Sequence, residues 1–161
     1  MNWHEQNIKY NSLIKQLFHD EDWQKRADAA RELGIMKEGR AVNLLCRALR
    51  SEMDHLVVNR IIEALGRIGD GRATLRIIEK LKEHLDESEV DKYRLIYIVE
   101  ALKNIKDKRA LEHIGPFLNS SDEELKNLAH ETFDVIEPNW KAIVKQEREE
   151  RSIEEIFKVK L

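Results

Sequence analysis

Cysteine, proline, glycine and aromatic residues are all scarce in this 161-residue chain. Its one cysteine, Cys46, rules out a disulfide within the chain. There are two prolines and six glycines, and aromatic residues make up only 6%. No segment is both long and apolar enough to span a bilayer. The first residues, Met1-Asn2-Trp3-His4-Glu5, lack the basic and then apolar run of a signal peptide. A net charge of −3 gives no general attraction to nucleic acid or anionic membrane. Together these absences favour a reducing, cytoplasmic setting. What the chain does have is charge, at 37% of residues, and hydrophobic content, at 42%. The charge is well above the roughly 25% of an average domain. With so few turn formers, that balance fits an all-helical repeat protein with a solvated outer surface.

The repeat is visible directly. Leu33-Gly34-Ile35-Met36-Lys37-Glu38-Gly39-Arg40-Ala41 lines up with Leu65-Gly66-Arg67-Ile68-Gly69-Asp70-Gly71-Arg72-Ala73, 32 residues later. A third copy, Leu102 to Ala110, follows after 37 residues, and a decayed fourth begins at Phe133 after another 31. Self-similarity at this period means stacked supersecondary units. Apolar spacing divides the chain into helix pairs, with repeats at about 7–35, 39–68, 71–105 and 108–136, and a last helix at about 138–159 as a cap. Ser120-Ser121-Asp122-Glu123-Glu124 is a helix start, and Pro138 suits a first helical position. Asp70 and Asp107 are placed to cap the helix that follows each turn. Gly69 suits a left-handed helix end, and Gly34 and Gly66 suit a close approach of neighbouring helices. Arg40, Arg72 and Arg109 recur in the turn, where pairing with turn acids or carbonyls is the expectation.

Asp22 to Gly34, Val57 to Ala73 and Arg94 to Ala110 together resemble the HEAT-like repeats of the phycobilisome lyase type. The pattern of those repeats is roughly Asp-x-x-Val-Arg-x-x-Ala-Ala-x-Ala-Leu-Gly-x-Ile-Gly-Asp-x-Arg-Ala-Val. Lys25 replaces its Val, Ile61-Ile62 replace its Ala pair, and the third copy lacks both glycines. Leu125 to Ile136 keeps little beyond the spacing and reads as a capping unit. The resemblance covers about residues 7–136. It implies an all-α fold, a right-handed α-α superhelix of about four helix pairs plus a C-terminal helix. It also implies that the helix bearing Ala-Leu-Gly lines the concave side.

On that side, the sixth, fifth and second positions before each Leu should face outward. In the first repeat they are Ala27, Asp28 and Arg31, and in the second Asn59, Arg60 and Glu63. In the third they are Ile96, Tyr97 and Glu100, and in the fourth Asn127, Leu128 and Glu131. Glu63, Glu100 and Glu131 make an acidic row headed by Arg31, beside an apolar patch of Ile96, Tyr97 and Leu128. An apolar cluster rimmed by charge is how a protein-binding hot spot is built. The leading expectation is therefore a non-catalytic adaptor or scaffold, not an enzyme, binding a basic or amphipathic segment of another protein. Two alternatives stand beside it. One is a subunit of a HEAT-repeat lyase or isomerase, or of another enzyme complex. The other is a nucleic-acid-binding repeat protein, disfavoured because the acidic row would repel phosphates.

Other chemistry finds little support. HEAT-like deoxyhypusine hydroxylases hold two irons with repeated His-Glu pairs on inner helices. Here only His130-Glu131 lies on an inner helix, out of register with that pattern, so an ordinary partly buried histidine is expected and no metal or cofactor. His19, His55, His84 and His113 form no ligand spacing. Cys46, among Leu44, Leu45 and Leu49, reads as packing. Gly69-Asp70-Gly71 is a repeat turn, not a phosphate loop. Trp23 stands near the N-terminal end of the groove, where exposure is one reading and packing the safer one. Trp3 and Trp140 are placed as lids on the two ends. Residues 82–92 hold the five extra residues of the long repeat and read as an extended helix and acidic loop.

Overall fold

The computed structural model describes residues 1–147 and 153–160. Among these every element is helical. The first pair is α1 (Trp3–His19) and α2 (Trp23–Ile35), and the second is α3 (Val42–Ser51) and α4 (His55–Ile68). The third is α5 (Thr74–Leu85) and α6 (Lys92–Ile105). The fourth joins the short α7 (Leu111–Ile114) and a 3-10 turn over Gly115–Asn119 to α8 (Glu123–Ile136). Two further helices follow, α9 (Trp140–Gln146) and α10 (Ile153–Lys160).

Successive second helices stack on one another, α2 on α4, α4 on α6 and α6 on α8, while α1, α3 and α5 back their own partners and the 115–119 turn backs α8. The apolar stripe of each pair is thereby buried against the next, giving a ribbon-shaped core rather than a central one. Gly34 and Gly66 set how closely the inner helices approach. A Cβ on Gly34 would lie 2.7 Å from Ala64 Cα, and one on Gly66 would lie 2.7 Å from Ala101 Cα. The third repeat has Lys103 at the equivalent place and Thr132 facing it in sequence register. The Lys103 side chain reaches Glu100 at 3.2 Å and Glu131 at 3.6 Å.

Each inner helix opens with the same device. Asp22, Asp54, Asp91 and Asp122 occupy the N-cap and accept from backbone N–H groups of the first turn. The turns between pairs also repeat. Glu38, Asp70 and Asp107 cap short 3-10 segments at Gly39–Ala41, Gly71–Ala73 and Lys108–Ala110. Gly69 is left-handed at φ 74°, as its place after α4 requires.

The C-terminal region differs from expectation. Pro138 precedes the helix instead of starting it, and the expected single helix is broken because Glu147 takes extended backbone after α9. Trp140 is buried and packs on Phe133 at 5.2 Å between ring centroids, and Phe157 packs on the same ring at 5.2 Å. α10 lies against α7 and the turn that follows it. The Ile156 side chain, which the apolar pattern of the last helix sets beside Ile153 and Phe157 toward the open end, lies outside the described residues. Trp3 is not a lid: it is 75% exposed at the start of α1.

Candidate functional site

The face formed by α2, α4 and α6 carries three adjoining clefts. The central one, about 450 Å³, is lined by Glu63, Arg67, Ile96, Tyr97, Glu100 and Asn104. Toward the helix N-termini it meets a cleft of about 590 Å³, which shares Tyr97 and adds Trp23, Leu56, Arg60 and Tyr93. Toward the C-termini it meets one of about 530 Å³, which shares Arg67 and Asn104 and adds Lys37 and Lys106. Of the residues lining the N-terminal cleft, Leu56 and Tyr93 are mostly exposed, and Trp23 is exposed rather than packed.

Tyr97 is the pivot of this face. Its hydroxyl accepts from Arg60 Nη1 at 3.1 Å, which ties α6 to α4 across the groove. Arg60 also reaches Glu63 at 3.4 Å, and Arg67 approaches the same carboxylate at 3.9 Å. Lys103 lies between Glu100 and Glu131. The expected acidic row is thus interleaved with Arg60, Arg67 and Lys103, and the face is a mixed ladder rather than an acidic strip. Arg67 and Lys103 were missed because they follow the Leu of each repeat, beyond the positions counted back from it.

The other expected residues divide cleanly. Asp28 is exposed and lines the N-terminal cleft, while Arg31 and Asn127 are exposed but line none of the three. Glu131 is exposed beside Lys103, and Ile96 is partly buried. Three of the expected outward positions are buried, although Asn59 and Ala27 still edge the N-terminal cleft. Asn59 is only 8% exposed, because Arg94 reaches back from α6 and donates to its Oδ1 at 2.6 Å. Leu128 is also 8% exposed, because it lies on the buried stripe of α8 with Leu125, Ala129 and Thr132. The apolar patch therefore consists of Ile96 and Tyr97, extended by Tyr93, Leu56 and Trp23. Ala27 is buried too.

Residues outside the groove have structural partners. His130 Nε2 sits 3.2 Å from the Leu118 carbonyl, and its ring lies tilted against Trp140 at 5.6 Å. His84 is buried and holds the 86–91 loop: its Nε2 accepts from the Asp91 N–H at 2.9 Å, and its Nδ1 faces Glu87 at 3.1 Å. Cys46 is buried in α3, and burial pushes its thiol above the usual range. No described helix is long and apolar enough to cross a membrane.

The HEAT-repeat profile matches residues 10–96. The chain belongs to the HEAT-repeat family. It is also similar to two curated proteins named bilin biosynthesis protein PecE. It is 35% identical over 101 residues to the one from Mastigocladus laminosus and 32% identical over 101 residues to the one from Nostoc sp.. Each match spans 63% of this chain, but only 35% and 38% of the respective relatives. This HEAT-repeat chain therefore spans little more than a third of the curated relatives it matches. Their names overturn the expectation of a non-catalytic adaptor with no enzymatic role, and favour the alternative of a lyase or isomerase subunit. The error has a physical source: the same solenoid hosts scaffolds and enzyme subunits, so the lack of a familiar catalytic constellation decides nothing.

Proposed function

We propose that this chain is a HEAT-repeat component of a bilin lyase or isomerase system, and that its α2–α4–α6 face holds the bilin. The observation that carries the reading is the 35% identity over 101 residues to a bilin biosynthesis protein. The groove supplies a chemically suitable place. A bilin is an open chain of four pyrrole-type rings with two carboxylate arms, so it needs flat apolar surface and cations. Ile96 and Tyr97 offer the first, with Tyr93 and Trp23 beyond them, and Arg60 and Arg67 offer the second.

In this reading the chain binds and orients, and an acceptor protein supplies the nucleophile. Holding a flexible, reactive pigment in one conformation next to its acceptor lowers the entropic part of the barrier and limits side reactions. Cys46 has no part in it, being buried in α3 with its thiol held protonated. The partner is the protein that receives the bilin, and the setting is cytoplasmic.

The test is a titration of biliverdin with the purified chain, followed by visible absorption. A saturable change that is at least about tenfold weaker for Tyr97→Ala supports the proposal. No change with the wild-type chain overturns it.

A further inference from the structure

The C-terminal end of the groove is basic. Lys37, Arg67 and Lys106 line one cleft of about 530 Å³, and no carboxylate lines it. In a chain of net charge −3, this is a local reversal of sign. Arg67 has Glu63 at its far side at 3.9 Å. Lys37 and Lys106 form no ion pair among the described residues and are exposed.

Their backbone sharpens the point. Lys37 and Lys106 are the described non-glycine residues with positive φ, at 50° and 61°. They follow α2 and α6, while the corresponding place after α4 is taken by Gly69. A side chain in this region costs about 1 kcal/mol relative to glycine, and such strain collects at functional sites. The close packing of Gly34 on Ala64 and Gly66 on Ala101 draws the three helix ends together, so the two lysines flank one opening. Arg67 and Asn104 then join this opening to the Tyr97 cleft.

We propose that Lys37, Arg67 and Lys106 form the anchoring site for the paired carboxylate arms of a bilin whose rings lie against Ile96 and Tyr97. This inference rests on the bilin reading above and fixes the direction in which the ligand lies: carboxylates at the C-terminal end of the inner helices, rings toward their middle. Paired cations at one end of a slot also select against neutral tetrapyrroles of the same shape.

The test compares biliverdin with its dimethyl ester, in which both carboxylates are masked, on the wild-type chain and on a Lys37→Gly, Lys106→Gly double variant. Glycine is the residue the repeat itself uses at this place, so the variant should fold with a melting temperature no lower than wild type. The proposal expects the acid to bind wild type about tenfold or more tightly than the ester, and the double variant to lose most of that difference. Equal binding of acid and ester, or a difference that survives in the variant, overturns the anchoring site while leaving the bilin reading intact. Failure of both ligands to bind wild type overturns the bilin reading itself.

Discussion

Arg72 donates from Nη2 to the carbonyl oxygen of Gly39 at 3.2 Å, fastening the turn of the second repeat to that of the first. The same guanidinium grips its own turn through Asp70 at 2.8 Å. Arg109 repeats the arrangement, with the Gly71 carbonyl at 3.3 Å and Asp107 at 2.7 Å. Arg40, in the first of these turns, contacts Asn7 and lies 4.3 Å over the Tyr10 ring. The recurring Arg is therefore a bolt between repeats, and its cost of removal accumulates along the stack. Arg72→Ala and Arg109→Ala should each lower the melting temperature modestly, and the double variant should lose at least the sum. Thermal melts of the three variants read this directly.

Acid should loosen the same bolts. The Arg72 side chain and N–H hold the Asp70 carboxyl below its ordinary range, and Arg40 does the same for Glu38. Burial pushes Asp107 upward, but the hydrogen bonds from the Arg109 side chain and N–H outweigh it and the net shift is downward. Carboxyls depressed in the folded state stabilise it fully above their unfolded values, near pH 4, and lose that contribution as pH falls through the folded values. Stability should therefore be flat from pH 7 to about 5 with respect to these groups and fall below about 4. In Asp70→Asn, Asp107→Asn the acid-side fall should be shallower, as measured by urea midpoints across pH.

Gly66→Ala tests how the inner helices are spaced. The added methyl would meet the Ala101 backbone at 2.7 Å, which no side-chain rotation relieves. Overpacking of this kind costs about 1–3 kcal/mol, more than the helix propensity gained from alanine. Gly39→Ala is the control, since nothing lies within 4 Å of its added Cβ. Urea denaturation should show a clear loss for the first and little change for the second.

Much of this frame was legible in the sequence. The Leu-Gly punctuation marked the close helix contacts, Gly69 marked a left-handed end, and the turn acids marked caps. What escaped depended on side chains crossing between repeats. Asn59 looked outward by position, but its exposure is decided by Arg94, thirty-five residues away. The acidic row looked unbroken because Arg67 and Lys103 fall after the counted Leu. Lys37 and Lys106 stand in the sequence only as members of the aligned repeats, and a lysine there does not signal the positive φ it adopts. The break after α9 depends on the backbone of Glu147, which no apolar periodicity signals.

The buried Arg94 offers a further check. Its Nε donates to Asn59 at 2.6 Å, its Nη2 lies 3.3 Å from the His55 carbonyl, and among the described residues no carboxylate pairs with it. Burial lowers its pKa, although Glu87 and Asp91 pull the other way. Asn59→Ala should cost about 2 kcal/mol, because it leaves a buried cation short of an acceptor. Asn59→Leu combined with Arg94→Leu should cost less than that single change, since both polar groups leave together. A double-mutant cycle in urea gives the coupling.

The most direct test of the central claim is amide hydrogen exchange of the chain with and without saturating biliverdin. The account predicts slowed exchange concentrated in α4 and α6, around residues 56–68 and 93–106, with the outer helices α3 and α5 unchanged. Exchange that is unaltered throughout, or slowed only on the outer helices, would contradict it.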